Sequence, residues 1–396
     1  MGSSRQTHLD SMRGVAAFIV IILHFFAVFY PSTTFGIKQG YIQHFEWESA
    51  FHYFPLNLLL AGRFAVCLFF ILSGYVLSYS LLGEKNNKLK IFSYVIKRPV
   101  RLGGLVLFTV LLGAFLWNSG LLYNQTVSQI THSTPYLNSQ WQGDFNLSRF
   151  IQVFLFSPFA EGTIYNPPLW TISIELYGSM LVFAIALITG NFKYRLLLYV
   201  VLYYLFKETL YQGFILGMLF ADLDKNYKHY YIDKINIYSM SVLLGIGLIY
   251  ASTPVFIDSD TFKNLFYVNL PDFYSLGGSH AMNGAALVFL ASNLLKPVKN
   301  MLNKPAFRYL GDISYGLYVM HFLVIGSFSC WLFLLLLPDT GYFYSSLITF
   351  IVSIPLIILV SHYVTIYVDK PAVLLASILG KKIQSVAENF NIQKNK

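Results

Sequence analysis

The feature that most constrains this chain is a series of long apolar stretches almost free of charge. They fall at about 14–30, 56–82, 102–122, 169–189, 194–206, 209–221, 237–253, 279–295, 313–337 and 343–368. A helix needs about 20 residues to cross the hydrocarbon core of a bilayer, and about 17 suffice. Eight of the ten stretches reach that length. The two others, 194–206 and 209–221, are separated by Lys207 and Glu208 and read as two thin spans or as a re-entrant hairpin. Water is absent from the bilayer core, so every backbone polar group there must be bonded internally. Only helices and closed barrels achieve this, and continuous rather than alternating apolar runs select helices. Composition agrees: 56% of the 396 residues are hydrophobic and 11% are Asp, Glu, Lys or Arg. That is too little charge to keep such a chain soluble as a globular domain. Disordered, fibrous and disulfide-scaffold classes are excluded on the same ground. The predicted fold is an all-α, polytopic transmembrane bundle of about ten spans over residues 1–368. A tail, 369–396, follows, with no room for a second soluble domain.

The net charge of +9 would suit a nucleic-acid binder, but its distribution follows the positive-inside rule. With the N-terminus in the cytoplasm, 22 of the 27 Lys and Arg residues face inward. Four face outward (Lys38, Arg149, Lys207 and Lys263), and Arg63 lies within a span. An even number of spans puts both termini in the cytoplasm. The basic excess is then topology and contact with anionic headgroups or an anionic ligand, with no nucleic acid expected. The first apolar run has no small-x-small cleavage site after it and is expected to be retained as a span. The longest outward loop, 123–168, carries Trp141, Phe145, Phe150, Phe154 and Phe159, a composition suited to interfacial helices over the mouth of the bundle. Cys67 and Cys330 sit inside apolar runs and are expected to be unpaired.

Ionisable residues inside a membrane are costly and by default mark function. Here they are His24, Arg63, Glu175, His321 and His362. At 1.5 Å of rise per residue, His24 lies about 16 Å above Arg13, and Arg63 and Glu175 each about 10 Å below the outer surface. His321 rises 8–11 residues from the inner side. These four are predicted to converge in the central to outer half of the bilayer, with Arg63 and Glu175 paired in one cavity. His362, near the inner end of the last stretch, stands apart. Arg13 and His24 are separated by almost three helical turns and share one face. They are either the two ends of a channel for a long ligand or a topological anchor and a hydrogen-bonded core histidine. The same choice between function and structure applies to His321, Glu175, Arg98 and Arg101. No metal-ligand spacing, phosphate-binding glycine loop or nucleophile elbow is present. Two histidines with a glutamate are a poor zinc set, so no metal is expected.

Four blocks, read in order, resemble the acyltransferase-3 family of integral membrane acyltransferases. Arg13-Gly-Val-Ala-Ala-Phe-Ile-Val-Ile-Ile-Leu-His24 is similar to the family's Arg–ten residues–His signature, preceded by Leu9-Asp10-Ser11-Met12. Val66-Cys67-Leu68-Phe69-Phe70-Ile71-Leu72-Ser73-Gly74-Tyr75 resembles its FF-x-LSG-[FY] block, and Leu169-Trp170-Thr171-Ile172-Ser173-Ile174-Glu175 its W-[ST]-x-[SA]-x-E block. Leu310-Gly311-Asp312-Ile313-Ser314-Tyr315-Gly316-Leu317-Tyr318-Val319-Met320-His321 resembles LG-x-x-SY-x-x-Y-x-x-H, and Asp369-Lys370-Pro371 the acidic-basic-Pro close. The one departure is Cys67, where many members carry Asp.

The resemblance implies transfer of an acyl group, usually acetyl, from cytoplasmic acyl-CoA to a hydroxyl of a glycan or lipid-linked sugar at the outer face. Ten core spans are implied, in a cell membrane, the bacterial inner membrane being the expected one. Relatives with an extracytoplasmic hydrolase-like domain differ from this chain, for which none is expected. The implied chemistry suits the residues. A sugar hydroxyl needs a base, for which His24 or Glu175 would serve. The developing oxyanion needs a donor, for which Arg63 or His321 would serve. Arg13, Arg98 and Arg101 would hold the phosphates of acetyl-CoA, the acyl donor. The acceptor would be a polysaccharide or lipopolysaccharide of the cell envelope, or another lipid-linked saccharide. Two other classes compete. A proton-coupled transporter would use the same His, Glu and Arg set, but the spans show no internal symmetry. A glycan-binding scaffold would bind without turnover.

Overall fold

The computed structural model describes residues 6–37, 40–82, 88–189, 192–231, 235–271 and 279–394, and among them every regular element is helical. Arg5, Lys38, Lys85, Lys234 and Lys396, which enter the charge count above, lie outside the described residues. A helix occupies each of the ten apolar stretches. In chain order the main elements are α1 Thr7–Phe29, α2 Gly62–Leu81, α3 Lys88–Asn118 and α4 Leu169–Thr189. They continue as α5 Arg195–Leu205, α6 Tyr211–Asp222, α7 Ile237–Ala251 and α8 Ser279–Leu294. The last four are α9 Pro305–Asp312, α10 Ser314–Val324, α11 Cys330–Val364 and α12 Lys370–Lys394. Among the described residues five helical stretches are long and apolar enough to cross a membrane, or six if the pair that bends by 95° after Leu294 is counted as one span. The chain is a multi-pass membrane protein. Helices α5 and α6, each about 17 Å long, are too short to cross a core of about 30 Å alone.

Two helix boundaries differ from the sequence reading, and both matter for the site. Residues Leu56–Leu60 form a separate 3₁₀ turn, and Ala61 leaves the helical region at φ −77°, ψ 53°. Arg63 therefore sits in the first turn of α2 instead of two turns inside a span. Helix α3 begins at Lys88, earlier than its apolar stretch, so Arg98 and Arg101 are carried on the spanning helix itself. Downstream, the helical stretch that starts at Ser314 breaks at Gly341, whose φ of 70° suits glycine.

In lipid there is little hydrophobic drive between helices, so close packing relies on small residues. The contact that positions the site is of this kind. A Cβ added to Gly14 of α1 would lie 2.5 Å from the Gly311 nitrogen, and one added to Gly311 would lie 2.6 Å from the backbone of Asp10. Backbone thus meets backbone between the segments that carry Arg13 and His321. Gly14→Ala must push α1 away from α9. We expect a cost of about 1–3 kcal/mol in detergent stability, with loss of activity beyond that expected from unfolding alone. A Gly14→Ala protein with wild-type melting and activity would show that this contact is slack.

The segment 369–396 is more than a trailing tail. Helix α12 runs against α3: Ser93 Oγ donates to the Gly380 carbonyl at 3.3 Å, and Ala372 fills the space over Gly104. At the other end of the bundle, residues 30–37, 40–60 and 123–168 build a cover. Glu48 is fully buried and accepts hydrogen bonds from the Ser32 hydroxyl and from the His44 and Phe45 amides. Burial pushes its carboxyl above the ordinary value, and those bonds draw it back. In the longer loop, Trp141 is 5% exposed, donates to the Tyr165 carbonyl at 3.0 Å and lies over Gly326. The helix Leu147–Phe156 leaves Leu147, Ile151, Leu155 and Phe156 exposed, as an interfacial helix would.

Candidate active site

A cavity of about 680 Å³ lies between α1, α2, α3, α4, α10 and the turn that joins α11 to α12. It is lined by four cations (Arg13, Arg98, Arg101 and Lys370) and four carboxylates (Asp10, Glu175, Asp312 and Asp369). Formally it is neutral, so it is not a simple positive funnel. What matters is which cations are already engaged. Arg98 is. Its Nη2 donates to Glu175 and, at 3.2 Å, to Ser73 Oγ, while its Nε donates to Ser179 Oγ at 2.9 Å. Ser73 Oγ also donates to Glu175 at 2.6 Å. The pair is nearly closed to solvent, with 10% and 16% of the two side chains exposed. Arg13 is looser, 3.4 Å from Asp10 on its own helix. Arg101 is exposed and forms no hydrogen bond among the described residues.

The two histidines meet. His321 Nε2 lies 2.9 Å from His24 Nδ1, with ring centroids 4.9 Å apart. His321 is fully buried, and its Nδ1 is 3.1 Å from the Leu317 carbonyl. A carbonyl can only accept, so His321 Nδ1 carries the hydrogen. In the neutral ring its Nε2 is then a lone pair, which takes the hydrogen of His24 Nδ1. With that hydrogen on Nδ1, His24 Nε2 is the lone pair of the neutral ring. The chain of bonds from Leu317 through His321 thus selects the tautomer of His24 that can accept a proton. On its far side His24 stacks near Tyr136 of the long loop, at 6.4 Å and 9° between rings, and Phe322 meets it edge-on at 5.3 Å.

Tyr318 stands between the cavity and this pair. It lines the cavity, its ring centroid is 5.9 Å from that of His321, and its oxygen receives the Thr171 hydroxyl at 2.8 Å. Phe69 braces it edge-on at 5.5 Å.

The seven residues singled out in the sequence fall into three places. Arg13, Arg98, Arg101 and Glu175 line the cavity. His24 and His321 form the pair beyond Tyr318. Arg63 belongs to neither: it lines a separate small crevice. The expected Arg63–Glu175 pair is corrected to Arg98–Glu175. Two causes act together, the late start of α2, which carries Arg63 outward, and the early start of α3, which carries Arg98 inward. His362 stands apart, 3.2 Å from the Tyr309 hydroxyl. Ser73, Ser179, Tyr318 and Tyr136 escaped the sequence reading. Hydroxyl-bearing residues in an apolar helix are not unusual, and only their partners distinguish these four. Ser73 and Tyr318 did carry a signal, since both lie within the motif blocks. No cluster of His, Cys, Asp and Glu suited to a metal occurs among the described residues.

The helical bundle thus holds a large cavity lined by paired charges, with Tyr318 standing between it and the histidine pair. The family model described as "Acyltransferase domain" matches residues 7–365, and the chain belongs to the acyltransferase-3 family. It is therefore a membrane acyltransferase. No curated protein and no solved structure is similar enough to count as a match.

Proposed function

We propose that this protein is an O-acetyltransferase that takes acetyl from acetyl-CoA on the cytoplasmic side and passes it to a hydroxyl of a cell-surface or lipid-linked glycan. The observation that carries the proposal is the cavity that ends at Tyr318 against the His321–His24 pair. On this reading the basic end of the bundle faces the cytoplasm, and the loops 40–60 and 123–168 cover the acceptor side. The pantetheine arm occupies the cavity and brings the thioester to Tyr318. A sugar hydroxyl reaches His24 from the side of Tyr136. His24 Nε2 takes the hydroxyl proton as the oxygen attacks the thioester carbon. The Tyr318 hydroxyl donates to the carbonyl oxygen as it becomes an oxyanion. Collapse breaks the C–S bond, and the leaving thiolate takes the proton back from His24, giving the ester and free CoA. His321 has both ring nitrogens engaged, so it holds His24 and does not bind the oxyanion. Glu175 is likewise committed, to Arg98, and serves to shape the cavity.

Among the cations, Arg101 is placed to meet a phosphate without first giving up a hydrogen bond, and Arg13 lines the same cavity. The test uses membranes containing the protein, given radiolabelled acetyl-CoA, with label followed into saccharide. Wild type should transfer label. Arg101→Ala should raise the KM for acetyl-CoA about 10- to 100-fold, with kcat changed little. Arg101→Lys should fall between, because a point charge remains. No label in any saccharide would sink the acceptor assignment, and an unchanged KM in Arg101→Ala would sink the donor site.

A further inference from the structure

Away from the cavity and the histidine pair, a small crevice lies where the residues after α1, the 3₁₀ turn Leu56–Leu60, the start of α2 and the loop after α7 come together. Its volume is about 20 Å³. One water-sized group needs about 10–15 Å³ by this measure, so the crevice holds one small centre. Three of the residues lining it carry buried polar atoms that have no hydrogen-bond partner among the described residues: Asn57 Nδ2, Arg63 Nε and Thr253 Oγ1. Asn57 is 4% exposed and Thr253 7%, so neither side chain can turn to bulk solvent.

The character of these atoms decides what fits. The guanidinium nitrogen and the amide nitrogen can only donate, and the hydroxyl can donate as well. Among the described residues no carboxylate lines the crevice. Ala61 and Gly62 belong to the same wall, at a helix start that no side chain caps. The positive end of the helix dipole therefore adds to the Arg63 charge. A water molecule has two lone pairs and no charge, and would leave both a donor and the arginine unmatched. An anion satisfies all of them and matches the Arg63 charge.

We propose that this crevice binds one small anionic centre, supplied by a halide ion or by a carboxylate oxygen of an acidic saccharide. The proposal goes beyond the acyl-transfer reading and stands independently of it. The purified protein in detergent is titrated with sodium bromide, with sodium glucuronate and with glucose. The sodium salts are compared at matched ionic strength, and the Arg63 and Thr253 variants report any general salt effect. At saturation, bromide or glucuronate should raise the unfolding midpoint by about 2–4 °C, and glucose should not. Arg63→Gln should abolish the shift and Thr253→Val should reduce it. A shift with bromide alone assigns a resident halide, and a larger shift with glucuronate assigns an acidic saccharide. If Arg63→Gln does not fold, Thr253→Val carries the comparison. No shift with either anion, or an equal shift in wild type and variants, overturns the proposal and leaves the crevice to water.

Discussion

His24→Gln is expected to lower acyl transfer by about 10²- to 10⁴-fold, the usual loss when a general base is removed. The amide can still hydrogen-bond to His321, so the protein should remain folded and bind acetyl-CoA normally. It cannot take a proton at neutral pH, so the hydroxyl stays a weak nucleophile. The His321 variants make the test sharper. Gln at 321 can offer a carbonyl oxygen to His24 Nδ1–H and so preserve its tautomer, whereas Leu cannot. His321→Gln should therefore keep clearly more activity than His321→Leu, with both retaining the KM for acetyl-CoA. If His24→Gln transfers acetyl at near the wild-type rate, His24 is a core histidine and the base lies elsewhere.

Breaking the Arg98–Glu175 pair should have the largest effect on stability. The two groups meet well inside the bundle, and Ser73 and Ser179 complete their hydrogen bonds. Removing one partner of such a pair leaves a buried charge uncompensated, at a cost of about 3–5 kcal/mol. Arg98→Ala and Glu175→Ala should each yield little folded protein. Replacing both, as Arg98→Met with Glu175→Leu, should recover much of the stability, because no charge is then stranded. Activity should not return, since the cavity loses its shape. Arg98→Lys should rescue poorly, because one ammonium cannot reproduce the separate contacts of Nε and Nη2. By contrast, Arg63→Ala and Glu175→Ala should be additive. Strong coupling between Arg63 and Glu175, or simple additivity between Arg98 and Glu175, would contradict the observed pairing.

Much of this protein was legible without a structure because membranes simplify the physics. A bilayer demands a minimum apolar length, so the ten stretches announced their helices. It makes charge expensive, so His24, Arg63, Glu175 and His321 stood out against an apolar background. The helical repeat is local, so the common face of Arg13 and His24 followed from counting. The motif blocks were legible for a different reason: each is contiguous, and the acyltransferase domain match over residues 7–365 spans all four.

What the tertiary structure alone decided was which of these groups meet. Arg63 and Arg98 are both arginines in or beside an apolar stretch, and composition does not distinguish them as partners of Glu175. The choice turned on a break of the helix at Ala61 and on the register of α3 against α4, each a packing outcome. The bond between His24 and His321 joins residues 297 apart, and its 2.9 Å length depends on α1 and the chain around Gly311 touching backbone to backbone. Apolar length and charge cost are properties of single segments, so they can be read along the chain. A hydrogen bond fails within a fraction of an ångström, so its existence depends on the crossing of two helices, which no single segment encodes.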